Sequence, residues 1–155
     1  MKVDVQYQLS IPIIMIRHTG PYEAIGDKFA TLWTWIEEND VPATRSIGIY
    51  YDNPEFTPAN QLRSAACAEA PASFLPDNLP AGFEFGSIQA GNYAQTQYVG
   101  PYEDLVRVWP AFIAQVERAL GHKILADVPA YEVYVNDPES TPPAQLVTDL
   151  FVPVK

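Results

Sequence analysis

The sequence predicts an α+β fold: a duplicated βαββ unit forming an antiparallel sheet, with two helices on one face and a ligand cleft on the other. Three observations lead there. HTGPYE at residues 18–23 returns as YVGPYE at 98–103, and YYDNPEFTPANQL at 50–62 returns as YVNDPESTPPAQL at 134–146 with seven of thirteen positions identical. Each GPYE opens a stretch whose apolar residues recur at helical spacing. Each such stretch lies between β-branched and aromatic runs. Motifs returning in the same order mark a repeated unit, and two units with one helix and one sheet face each bury those faces by pairing.

The elements follow in order. The run VDVQYQLSIPIIMIRH at residues 3–18 is long enough for one strand or a bent strand. After the first GPYE, Tyr22, Ile25, Phe29, Leu32, Trp33 and Ile36 form one apolar stripe, which predicts a helix over about 21–39. Pro21 suits the first turn, where its missing N–H removes no bond, and Gly20 frees the backbone before it. SIGIYYDNP, then LRSAACAEA, read as a hairpin around an Asx-Pro turn. Residues 71–86, PASFLPDNLPAGFEFG, read as a linker between repeat 1 (about 1–70) and repeat 2 (about 87–155). In repeat 2, FGSIQAGNYAQTQYV supplies the leading strand. Tyr102, Leu105, Trp109, Phe112, Ile113, Val116 and Leu120 repeat the stripe over about 102–120, with Gly121 and His122 as its stop. Pro110 cannot donate to the carbonyl four residues back, so a kink or a separate first turn is expected near 106–110. AYEVYVNDP and QLVTDLFVPV form the second hairpin.

Composition narrows the function. A chain of 155 residues that is 48% hydrophobic suits a single domain over 1–155. Nine Lys and Arg against 19 Asp and Glu give a formal charge of −10, which disfavours direct nucleic-acid binding, since that needs cations to displace phosphate counterions. Solubility alone is the commoner explanation of such acidity, which also suits a basic partner or a cationic ligand. The lone cysteine, Cys67, has no partner in the chain for a disulfide, the first residues lack a secretory pattern, and the run IPIIMI is far short of the roughly 20 residues a span needs. The expected setting is cytoplasmic, without membrane insertion. Phosphate-loop, dinucleotide, nucleophile-elbow and paired-cysteine motifs are missing, and two histidines with one cysteine make no familiar metal spacing, so no cofactor and no metal site is expected. His18 reads as a loop or capping residue. Cys67, among alanines on a strand, reads as a small buried hydrophobe.

Alternation on the strands selects site residues. In 131–135, Tyr131, Val133 and Val135 share one side, read as facing the helix, which leaves Glu132 and Tyr134 toward the cleft. In repeat 1, Ile47, Ile49 and Tyr51 are likewise assigned to the helix side, and Gly48, Tyr50 and Asp52 to the cleft. The offset that aligns Tyr50 with Tyr134 sets Glu132 against Gly48, so one repeat carries a carboxylate where the other carries no side chain. Tyr50 and Tyr134 would supply rings from equivalent positions. Trp109, just before Pro110, is divided between cleft and core. A carboxylate among rings attracts a cation by Coulomb and cation–π forces, and the same desolvation suits it to general acid or base work.

The duplicated GPYE starts, with YYDNPEFTPANQLR and YEVYVNDP, resemble the GyrI-like family, which includes bacterial DNA gyrase inhibitors and the effector-binding domains of some transcription regulators. The resemblance covers nearly the whole chain and is most specific at YYDNP with TPA and LR. It implies a ligand cleft with a glutamate at Glu132, a small hydrophobic or cationic ligand, and DNA gyrase as a partner. Some members of the family hydrolyse strained cyclopropane-containing toxins with cleft carboxylates and aromatics. The resemblance therefore keeps three readings open: a gyrase inhibitor or toxin-protection protein, a hydrolase of electrophilic small molecules, and an effector sensor acting through protein contacts.

Overall fold

The computed structural model describes residues 1–71, 73–74 and 78–155. They gather into two compact units, Ser10–Gln89 and Met1–Leu9 with Ala90–Lys155. The chain begins with β1 (Asp4–Gln8), which belongs to the second of these. The unit Ser10–Gln89 then runs β2 (Ile11–Thr19), α1 (Gly26–Glu38), β3 (Ser46–Tyr50), β4 (Arg63–Glu69) and β5 (Phe83–Ile88). The other unit continues with β6 (Gly91–Val99), α2 (Leu105–Ala114), β7 (Ala130–Tyr134) and β8 (Val147–Pro153).

Within the first unit the strand order is β3-β4-β2-β5, and within the second β7-β8-β6-β1, every adjacent pair antiparallel. The predicted strand, helix, strand, strand order thus recurs, giving an α+β protein with eight antiparallel strands and two α-helices among the described residues. Each unit gains a fourth, edge strand that the sequence pattern did not separate. The run at 3–18 is two strands, β1 and β2, and they serve different units. The span read as a linker lies partly outside the described residues, at 72 and 75–77, and its end forms part of β5.

β2 reads as an unbroken apolar run because both its faces are buried. Ile14 and Ile16 pack with Leu32 and Ile36 of α1, while Ile13 and Met15 are buried on the other side. In the second unit Leu105, Val108, Phe112 and Val116 pack on Ala94, Leu150 and Val152. The buried stripe ends at Val116; Leu120 is 45% exposed. Helix formation starts later than predicted: each GPYE forms a 3-10 turn, Tyr22–Ala24 or Tyr102–Asp104, before the α-helix proper. α2 runs through Pro110. The carbonyl that loses its donor is that of Val106, a residue 81% exposed, where water can replace the bond. The irregularity comes after, as a π-turn at Gln115–Ala119 ended by Gly121 at φ +71°. Among the described residues no helix is long and apolar enough to cross a membrane.

Candidate functional site

The face assignment from alternation is reversed. Glu132 and Tyr134, not Tyr131 and Val133, lie on the side covered by α2, as the hydrogen bond from Trp109 to Glu132 shows. In the other unit Ser46, Gly48 and Tyr50 share the α1 side, for Trp33 Nε1 donates to Ser46 Oγ at 3.3 Å and Gly48 stands opposite Ala66, itself opposite Ile16. Alternation grouped the residues correctly. It could not say which group the helix covers, because both are buried: Ile47 and Gly48, Tyr131 and Glu132 alike. The candidate site is therefore between helix and strand within one unit.

Glu132 sits mid-strand on β7 and is 4% exposed. Its Oε1 accepts from Trp109 Nε1 at 2.6 Å and its Oε2 accepts from the Tyr134 hydroxyl at 2.7 Å. Neither donor carries a charge. Hydrogen bonds to an ionised acceptor contribute roughly 1.5–3 kcal/mol each, set against the cost of taking a carboxylate out of water. Trp109 reaches the strand because α2 places it one turn before Phe112, whose ring lies 5.7 Å from its own. The offset that aligns Tyr22 with Tyr102 aligns Phe29 with Trp109, so repeat 1 has Phe and Gly where repeat 2 has Trp and Glu. The carboxylate and its indole donor are specific to one copy.

Two tyrosines complete the cluster. The rings of Tyr102 and Tyr134 meet edge to face at 5.5 Å. The Tyr102 hydroxyl is buried and has no hydrogen-bond partner. Burial pushes its pKa above the ordinary tyrosine value, and the negative charges of Glu132 and Asp137 add to this. Tyr102 entered the sequence reading only as a helix-stripe residue; its place in a motif that is duplicated offered no sign of a site role. Tyr50 lies in the other unit, its ring 4.8 Å from Tyr22. There the Tyr22 hydroxyl donates to the Asp52 carbonyl at 2.5 Å and accepts from the Asp52 N–H at 3.0 Å.

The remaining candidates are structural. His18 ends β2, and its Nε2 lies 3.1 Å from the Pro21 carbonyl, bracing the GPYE turn. Cys67 is fully buried, and burial pushes its thiol pKa up, away from a reactive thiolate. An open groove of about 490 Å³ lies in the Ser10–Gln89 unit, lined by Thr31, Trp35, Glu38, Pro80 and Phe83 among others. It contains none of the Glu132 cluster.

Among the described residues, one copy of the repeated βαββ unit carries a buried carboxylate between aromatic donors where the other copy carries Gly48. Residues 1–155 match the family described as GyrI-like small molecule binding domain, and the chain belongs to that family. A DNA gyrase inhibitor of Salmonella typhimurium is 28% identical over 139 residues, 88% of each chain. Among solved structures, EcmrR in its complex with DNA superposes with a TM-score of 0.82 at 14% identity, over 99% of this chain and 57% of that one. A hydrolase from Listeria innocua superposes with a TM-score of 0.70 at 15% identity, over 99% and 92%. At those identities the two structures establish the fold alone.

Proposed function

We propose that the Glu132 cluster binds a small organic cation and that the protein acts as an inhibitor of DNA gyrase. The observation that carries the ligand reading is a buried carboxylate that accepts hydrogen bonds from Trp109 and Tyr134, with a third ring, Tyr102, against the second. Such a site attracts a cation by charge and offers it ring faces. The gyrase reading rests on the relatives that bear that name, and its proposed setting is the cytoplasm. With a formal charge of −10, the proposed contact is with the enzyme and not with its DNA.

The test is Glu132→Gln, which keeps the shape and removes the charge. Affinity for organic cations should fall by about 1–3 kcal/mol in a dye titration, the scale of a charge-assisted hydrogen bond, while neutral ligands bind nearly as before. Equal cation affinity in parent and variant refutes the reading. A second reading is favoured by the 2.7 Å pair of Glu132 and the Tyr134 hydroxyl, a base and a proton donor side by side: hydrolysis of an electrophilic, cyclopropane-bearing compound. In that case the variant still binds the compound but turnover drops by about 10²-fold or more.

A further inference from the structure

The duplication supplies an internal control for one side chain. Tyr22 and Tyr102 occupy the same place in the two GPYE turns, each in a 3-10 turn and each with its ring against the equivalent strand tyrosine, Tyr50 or Tyr134. In the Ser10–Gln89 unit the hydroxyl is consumed by the hairpin backbone at Asp52, with the Arg63 carbonyl a further acceptor at 3.3 Å. In the other unit the same hydroxyl is buried with no partner. The corresponding hairpin residue, Asn136, accepts from the Val147 N–H through its side chain as Asp52 accepts from the Arg63 N–H, so the two hairpins are braced alike and the tyrosine hydroxyls still differ. Among the described residues two other buried hydroxyls lack partners, Ser64 and Thr148, but they are equivalent to each other and so distinguish neither copy. Tyr102 is the hydroxyl left open in one copy only, and it belongs to the copy that carries Glu132.

A buried hydroxyl without a bond is destabilising, and such groups need an explanation. We propose that Tyr102 is a specificity-determining residue that donates its hydroxyl hydrogen to the ligand, and that the ligand is an organic cation with an acceptor oxygen, such as an ester or amide carbonyl, close to its charge. This rests on the cation reading above and narrows it. Glu132 answers the positive charge through Coulomb attraction, and Tyr102, one ring away through Tyr134, answers the oxygen. A cation with no acceptor leaves the Tyr102 hydroxyl unmet and forgoes that part of the affinity.

The probes are benzoylcholine, a quaternary ammonium with an ester carbonyl, and benzyltrimethylammonium, which has no acceptor. Both are titrated calorimetrically into the parent, Tyr102→Phe, Tyr22→Phe and Glu132→Gln, and thermal unfolding is followed without ligand. Tyr102→Phe should weaken benzoylcholine by roughly 3- to 10-fold, the scale of one neutral hydrogen bond, and leave benzyltrimethylammonium within about twofold. Its Tm should hold or rise, because an unmet hydroxyl is removed, whereas Tyr22→Phe should lower Tm and spare both affinities. The proposal is overturned if Tyr102→Phe shifts both cations equally or neither, or lowers Tm as Tyr22→Phe does, which would mean that structure or a bound water already satisfies the hydroxyl. If the parent binds neither cation, the cation reading itself fails and this proposal with it. Loss of both cations in Glu132→Gln together with no selectivity in Tyr102→Phe removes this proposal alone.

Discussion

Tyr22 and Tyr102 differ by nothing in their own chemistry; the loop opposite decides what each hydroxyl does. Tyr22 is half-buried, and burial lifts its pKa from the ordinary value near 10 to about 12. Because the folded state holds the proton more tightly, the stability tied to the neutral phenol is present in full below pH 10. It is lost as pH rises from 10 toward 12. Denaturant unfolding across that window should therefore show a decline that Tyr22→Phe flattens, although the variant begins lower for want of its hydrogen bonds. A parent curve already as flat as the variant's would mean that the hydroxyl is as solvated in the folded state as in the unfolded one. Asp52 works in the opposite sense: its hydrogen bond to Arg63 holds its pKa below the usual carboxylate range, so its contribution persists above that range and fades in acid.

At the scale of elements, GPYE is repeated because each copy must turn the chain from a strand into a helix within a few residues. Gly20 and Gly100 hold φ of +132° and +152°, and each donates its N–H to the end of the neighbouring hairpin, at Leu62 or Leu146. A side chain at either position is strained. The surroundings are unequal. A Cβ at position 100 would lie 2.5 Å from the Tyr98 hydroxyl, which is bonded to Asp104, whereas at position 20 the nearest atom is His18 Nε2 at 3.6 Å. Gly100→Ala should thus cost about 1–3 kcal/mol and more than Gly20→Ala, as urea unfolding of the two variants will measure. Equal losses would show that Tyr98 yields without penalty. The two helices, the hairpins and the turn motif were all legible in the sequence, since each rests on contacts close along the chain. The face each helix covers was not, because β3 and β7 are buried on both sides, so the apolar set, Ile47 with Ile49 or Tyr131 with Val133, does not mark the side under the helix.

At the scale of the molecule, the acidic charge bears on the proposed contact with gyrase. Contact with gyrase, if driven by the formal charge of −10, should weaken as salt shortens the screening length from about 10 Å at 0.1 M to about 3 Å at 1 M. A supercoiling assay over a range of salt, corrected for the response of gyrase alone, measures this; inhibition that does not change with salt removes charge as the driving force. The exchange of edge strands also belongs to this scale. β1 and β5 take equivalent places, each beside the first strand of a repeat, yet β1 precedes its unit by more than eighty residues while β5 closes the unit it follows. Nothing in the local pattern of VDVQYQ says that its partner is β6, at the register Gln6 to Tyr93.

By itself the sequence determined the duplication and the α+β class and singled out Glu132 as a candidate, because a repeat is a property of letters and a lone carboxylate on an apolar strand stands out against its copy. It also determined that Trp109 and Tyr134 merited attention, through their positions beside that strand and in the second stripe. Only the tertiary structure decided that these three side chains meet, that they meet under α2, and that Tyr50 spends its ring on Tyr22. It alone separated Tyr22 from Tyr102, two identical residues in identical motifs, since a hydroxyl's bond depends on the backbone that folding brings within 3 Å of it. Local spacing carries helices and turns; the pairing of a buried polar atom depends on residues far along the chain, and no repeat of letters encodes it.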